Sequence, residues 1–156
     1  MKKLTLAIAL AAAMALPSLA QAREVTFTTV INNYSGEGAY VALYVVDAKG
    51  TYQRTLWVAG EKTKYYKHLA DWARGSGLRR SEYDGLTGAS VLSRDALVVT
   101  SDIPDAMFDA GYEVRVDTAV EDLRDNRADA AIALTTDGAG KLVSGRGYVK
   151  SLSYKF

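Results

Sequence analysis

Seven residues in the middle of the chain, Asp84 to Ser90 (DGLTGAS), combine a carboxylate, two glycines and two hydroxyl side chains. A hydroxyl can accept a transferred group, but it is a weak nucleophile at its own pKa and needs activation by a base or a metal. The same composition is also typical of a plain turn. Asp84 and Gly85 form a favourable turn dipeptide, and Gly88 adopts positive φ easily. Thr87 and Ser90 can bond backbone amides nearby. By residue types alone, the turn is the favoured interpretation.

The order of these residues resembles the flavinylation motif Asp-Gly-x-Ser/Thr-Gly-Ala-Ser/Thr, which extracytoplasmic flavin transferases recognise. The resemblance implies that FMN is donated from FAD in a magnesium-dependent phosphoryl transfer and attached covalently to Ser90 as a phosphoester. Base and metal would then come from the transferase, and the small motif residues would leave the approach to Ser90 unobstructed. The predicted cofactor-binding residues of the motif are Ser90 as the covalent acceptor, with Asp84, Gly85, Thr87, Gly88 and Ala89.

A longer part of the chain, roughly Tyr40 to Ala119, is similar to the predicted periplasmic proteins grouped as domain of unknown function 2271. The similarity includes a hairpin with Leu56-Trp57, a helical stretch marked by Lys64-Tyr65, Leu69 and Trp72, and the strand GYEVRVDTA. Two features depart from that family. A Trp-Asp-Gly element is common there shortly after the motif, where this chain reads VVTSDIPDAMFDAG, and Ser90 replaces the more frequent threonine. Serine keeps the reactive hydroxyl, so the departures concern local packing more than attachment.

Aromatic and basic residues around the motif have two interpretations each. Trp57 and Trp72 precede it, and either indole could stack on an isoalloxazine ring. Burial in the core is the more common role of tryptophan in a domain of this size. Arg79, Arg80 and Arg94 bracket the motif and suit phosphate oxygens, but a solvated basic face is commoner. Arg79 and Arg80 would equally serve to dock the transferase.

The elements that must position the motif are mostly strands, since apolar and polar residues alternate in short segments bounded by Gly, Asn or Asp. The pattern predicts one helix at Lys64–Arg74 and strands at Val25–Asn32, Tyr40–Asp47, Tyr52–Val58, Ala96–Ser101, Tyr112–Thr118, Ala130–Thr135 and Tyr148–Tyr154. Many short strands with one short helix predict an all-β protein, a single antiparallel immunoglobulin-like β-sandwich. The alternating C-terminal residues also suggest a small outer-membrane β-barrel. This alternative is less favoured because most predicted strands are too short for one.

The first 22 residues are predicted to be a secretory signal peptide, which leaves residues 23–156 as a single sandwich domain in the periplasm. Lys2 and Lys3 precede an apolar run that is too short to span a bilayer, and Ala20-Gln21-Ala22 forms a small-residue cleavage site. Removing two lysines changes the 19 basic and 18 acidic residues to 17 and 18. Such a near-neutral chain has no electrostatic footprint for nucleic acid.

The chain contains no cysteine and a single histidine, His68. These counts exclude disulfides and iron–sulfur ligation, and they disfavour zinc, copper and iron sites. A Ser-His-Asp hydrolase would have to use that one histidine, and no G-x-S-x-G elbow is present.

The resemblance therefore implies a periplasmic flavoprotein that carries electrons on covalent FMN and is itself the substrate of an enzyme rather than an enzyme. Its implied partners are an FAD:protein FMN transferase and a membrane-bound reductase of the kind often encoded with such proteins. The alternative is a noncatalytic periplasmic binding or adhesion sandwich, in which DGLTGAS is an ordinary loop.

Overall fold

The computed structural model describes residues 21–156, in which eight strands form two sheets. The strands are β1 (Ala22–Ile31), β2 (Tyr40–Val46), β3 (Tyr52–Ala59), β4 (Thr87–Gly88), β5 (Ala96–Pro104), β6 (Glu113–Ala119), β7 (Asn126–Ala133) and β8 (Val149–Lys155). One α-helix, α1 (Ala70–Ser76), follows β3, and 3₁₀ turns cover Thr63–His68, Arg80–Glu82, Asp105–Met107 and Thr136–Gly138. The predicted signal peptide lies outside the described residues apart from Gln21 and Ala22, and Ala22 already begins β1.

The two sheets pack face to face around one hydrophobic core. The smaller sheet has the order β5-β1-β8, and the larger has the order β4-β3-β2-β6-β7. Strand β1 shows why: every second residue from residue 25 to residue 31 is buried, namely Thr29 and the apolar Val25, Phe27 and Ile31, and the residues that alternate with them are more exposed, which is the period of a sheet with one covered face. Those side chains meet buried residues of β2 and β6, such as Leu43 and Val116. The mostly-β prediction is confirmed and a sandwich fits, whereas the immunoglobulin-like subtype stays a prediction.

The outer face of the larger sheet is covered by the segment that contains α1. Tyr66, Leu69 and Trp72 pack there against Ala42 and Val58 in a second buried cluster. Strand β2 is therefore covered on both faces, and Val41–Val46 is buried without interruption. No helix within residues 21–156 is long and apolar enough to cross a membrane.

The predicted continuous helix at Lys64–Arg74 is wrong in one respect, because the backbone breaks at Leu69 (φ −84°, ψ 72°). A buried carboxylate from β6 explains the break. Asp117 Oδ2 accepts the backbone N–H groups of Asp71 and Trp72 at 2.8 and 2.9 Å, so the chain starts a new helix there. The sequence contains no local sign of this cap, since residue 117 follows the helix by more than forty positions.

All seven predicted strands overlap observed ones, and β7 differs most. It begins at Asn126, four residues before the predicted start at Ala130, and ends at Ala133. The prediction missed the first half of β7 because that half contains polar residues. One of them, Asp129, is buried and accepts the N–H groups of Gly147 and Tyr148 at 2.6 and 2.8 Å. A strand whose inward side chain is charged does not show the apolar alternation that predicts strands.

Candidate functional site

The motif is partly an edge strand rather than a projecting loop. Thr87 and Gly88 form β4, which pairs in parallel with Val58 and Ala59 of β3. The N–H of Val58 donates to the carbonyl of Leu86 at 2.8 Å, and the N–H of Gly60 donates to the carbonyl of Gly88 at 2.7 Å. The expectation of a free loop is therefore corrected for these residues. A strand of two residues is too short to show the alternation of apolar and polar residues from which strands are predicted.

The two motif glycines are required for different physical reasons. Gly85 has φ of 77° with open space around its Cα, so it supplies a backbone conformation that other residues rarely adopt. At Gly88 the requirement is space, because a Cβ there would lie 2.9 Å from Cζ2 of the Trp57 indole. Trp57, which is partly buried at the edge of the core, is thus in direct contact with the motif. The sequence could not show this contact, because Trp57 and Gly88 are far apart along the chain.

The two motif hydroxyls have different surroundings. Thr87 is exposed and lines a cleft together with Ala89. Ser90 is half-buried, and its side chain packs against the backbone of the buried Gly38, where a Cβ would collide with the serine Oγ and Cβ. The hydroxyl of Ser90 is therefore close to the surface and not sealed in the core, but one side of it is occupied.

The concave surface next to the motif, here called the motif cleft, has a volume of about 560 Å³. Its lining consists of Gly60, Glu61, Thr63, Tyr66, Arg80 and Tyr83, with Asp84, Thr87, Gly88 and Ala89 of the motif. Volumes of this order are usual for small-molecule and cofactor sites. Tyr66 and Tyr83 meet edge to face with ring centroids 5.3 Å apart. The guanidinium of Arg80 is largely exposed and stands 3.9 Å from the Asp84 carboxylate.

A chain of hydrogen bonds fixes the segment that enters the motif. The indole N–H of the buried Trp72 donates to Thr55 Oγ1 at 2.9 Å, and Thr55 and Tyr52 share a hydrogen bond of 2.7 Å. The hydroxyl of Tyr52 donates to Glu82 at 2.7 Å, and Arg79 donates to the same carboxylate at 2.8 Å. The bonds from Arg79 and Tyr52 hold the pKa of Glu82 below its ordinary value, while burial raises the pKa of Tyr52 to about 12.

The structure gives different roles to the tryptophans and arginines that the sequence suggested as neighbours of the flavin. Trp72 has no exposed surface and contacts Tyr66 and Tyr83 in the second cluster, so the core interpretation holds for it and its face is not available to a flavin. Trp57 contacts Gly88 without lining the motif cleft. Among the arginines, Arg80 lines the cleft, Arg79 pairs with Glu82, and Arg94 donates to Asn33 at 3.0 Å.

Sequence reasoning missed the residues that frame the motif from a distance. Gly38 lies against Ser90, and Gly60, Glu61 and Thr63 form the opposite wall of the cleft. One signal existed: Gly60 lies two residues after the end of the predicted strand Tyr52–Val58, and the parallel pairing of β4 with β3 brings the motif to that end. The motif letters alone do not show that pairing.

A family model described as predicted periplasmic protein (DUF2271) matches residues 22–151. That range contains the motif and every residue of the motif cleft. No curated protein and no solved structure matches the chain.

Proposed function

This chain belongs to the family of predicted periplasmic proteins DUF2271, and on that premise we propose that it is a periplasmic flavoprotein carrying FMN on Ser90 as an electron carrier. The observation that carries the proposal is the order of residues in DGLTGAS, which ends in a serine that the fold keeps near the surface. In the attachment step, Ser90 Oγ attacks the phosphorus on the FMN side of FAD. The bond between the two phosphates breaks, AMP leaves, and the serine proton passes to a base of the transferase.

Contacts around Ser90 support a role as acceptor. Ala89 is an exposed neighbour with a single methyl group, and Gly88 has no side chain, so little obstructs the approach from the motif side. Because Ala89 also lines the motif cleft, a flavin tethered to the next residue starts at the rim of that cleft. Among the residues that line the cleft, the partly exposed Tyr83 offers an aromatic ring and Arg80 offers a cation.

The proposed activity is electron transfer without a substrate pocket. Flavin accepts one or two electrons, so a tethered flavin can connect a membrane-bound reductase to a one-electron acceptor, and the protein contributes orientation and environment. Covalent attachment suits the periplasm, since a free cofactor would diffuse away. The transferase and the reductase are the proposed partners.

A second candidate is a noncatalytic binding or adhesion sandwich. The pairing of β4 with β3 favours it, because the hydrogen bonds of Leu86 and Gly88 give the motif a structural role that requires no cofactor. In that case the motif cleft would bind its ligand directly, and Ser90 would stay unmodified.

Co-expression with a competent flavin transferase distinguishes the two functions. We expect flavin fluorescence on the protein band of a denaturing gel and a mass increase of one FMN less one water. Ser90→Ala should abolish both, whereas Thr87→Ala, the matched loss of the other motif hydroxyl, should keep them. Unmodified wild-type protein in the presence of the transferase, or a fluorescent Ser90→Ala band, would contradict the assignment.

A further inference from the structure

Four backbone hydrogen bonds hold the segment Leu86–Val91, here called the motif segment, on two sides. Two of them join it to β3, through the carbonyls of Leu86 and Gly88. The other two are exchanged between Val91 and Ala39, at 2.7 and 2.9 Å. Ser90 therefore lies between two residues, Gly88 and Val91, that are each bonded to a different part of the folded frame.

The small residues Gly88 and Ala89 leave the motif side of Ser90 clear, but on the side of Gly38 this closed arrangement restricts the geometry of the transfer. A displacement at phosphorus needs the attacking oxygen, the phosphorus and the leaving oxygen roughly in line. Ser90 Oγ packs against the backbone of Gly38, and Ser90 is only partly exposed. The diphosphate of FAD, held in the active site of a second protein, would have to reach that oxygen past residue 38.

The motif segment can open without dismantling the core. Strand β4 has two residues, and Thr87 and Ala89 of the motif segment are exposed, as are Asp84 and Gly85 just before it. Val91 is the one residue of the segment buried in the core, with 6% of its surface exposed. Segments with few buried contacts and short strand pairings are those that open locally while the rest of a protein stays folded.

We propose that the transferase modifies an open form of the folded protein, in which the motif segment has separated from β3 and from Ala39. This inference rests on the proposed function. In the open form Ser90 Oγ is free of Gly38 and attacks the FMN-side phosphorus of FAD, AMP leaves, and the serine proton goes to the transferase. The segment then closes with the flavin at the rim of the motif cleft. The rate of attachment therefore depends on how often the segment opens.

A reversible lock beside the motif tests the inference. Ala39 and Val91 form an antiparallel hydrogen-bonded pair, for which the Cα separation is about 5.5 Å, within the range that a disulfide bridges. The chain has no cysteine, so Ala39→Cys with Val91→Cys creates a single disulfide and leaves the motif letters unchanged. We expect the oxidised protein to accept FMN at least about 100-fold more slowly than the same protein after reduction, because modification follows the open population.

Two further proteins complete the experiment. The control pair Thr28→Cys with Val98→Cys ties β1 to β5 in the smaller sheet, whereas β4 of the motif lies at the edge of the larger sheet. The rate of FMN attachment to this control should not change on oxidation. Val91→Ala removes part of the buried anchor and should accept FMN about tenfold faster than wild type, since a weaker anchor raises the open population. An acceptor site that worked in the closed form would show no such gain.

The outcomes separate this inference from the function on which it rests. Equal rates for the oxidised and reduced Ala39/Val91 variant would overturn the opening while leaving FMN attachment intact. Absence of FMN on every protein, including wild type, would overturn the function and the inference together. Hydrogen exchange provides a readout without the transferase: the N–H of Gly60, bonded to Gly88, should exchange faster than the N–H groups that join β2 to β6. Equal protection would contradict the opening.

Discussion

Replacing Asp117 by asparagine should destabilise the protein by removing half of a buried acceptor set. Asp117 has no exposed surface. Its Oδ2 accepts the N–H groups that start α1, and its Oδ1 accepts the Tyr44 hydroxyl at 2.9 Å and the Ala128 N–H at 2.8 Å. Two oxygens therefore satisfy four donors. Asparagine offers one oxygen, and its amide NH₂ would face two of those donors.

The expected loss follows from the hydrogen bonds. A bond to a charged group contributes about 1.5–3 kcal/mol, so two lost bonds cost about 3–6 kcal/mol. Burial raises the pKa of Asp117, which means that the folded protein carries a desolvation cost for this carboxylate, and the neutral amide removes that cost. The offset leaves a net loss of about 3 kcal/mol in the free energy of unfolding. For a domain of this size the melting temperature should fall by about 10 °C.

Urea unfolding followed by tryptophan fluorescence measures the change, since Trp72 lies at the capped end of α1. The matched control is Asp122→Asn, the same chemical change at an exposed residue with φ of 60°, a conformation that asparagine tolerates. Its stability should stay within about 0.5 kcal/mol of wild type. A loss below about 1 kcal/mol for Asp117→Asn would refute the view that this carboxylate holds α1 on the sheet.

Two further predictions concern Thr29 and Tyr52. Thr29 Oγ1 is a buried oxygen with no hydrogen-bond partner in the described part of the chain, so Thr29→Val should raise the free energy of unfolding by about 1 kcal/mol, and a lower melting temperature would contradict this. Burial raises the pKa of Tyr52 from 10 to about 12, so its contribution to stability is complete below pH 10 and is lost as the pH rises towards 12. Tyr52→Phe should reduce that alkaline loss without abolishing it, because burial also raises the pKa of Tyr44; unfolding measured at pH 9 and pH 11.5 checks the difference.

Strand spans were predictable because buried and exposed residues alternate along a strand, and this alternation is visible in the types of neighbouring residues. Val25, Phe27 and Ile31 show it in β1, and the structure buries all three. The helix was predictable only in part, since the local residue pattern of Lys64–Arg74 does not reveal the break at Leu69. That break depends on a carboxylate from a strand far along the chain, and no local pattern contains it.

By itself the sequence determined the strand-rich class of the fold, the absence of thiol chemistry and the order of small and hydroxyl residues in DGLTGAS. The tertiary structure alone decided that Thr87 faces a cleft while Ser90 packs on Gly38, and that β4 joins the edge of the larger sheet. The physical reason is the range of the interactions. Alternation and turn preferences act between neighbours, whereas the register of β4 against β3 and the packing of residue 90 on residue 38 join segments separated by tens of residues.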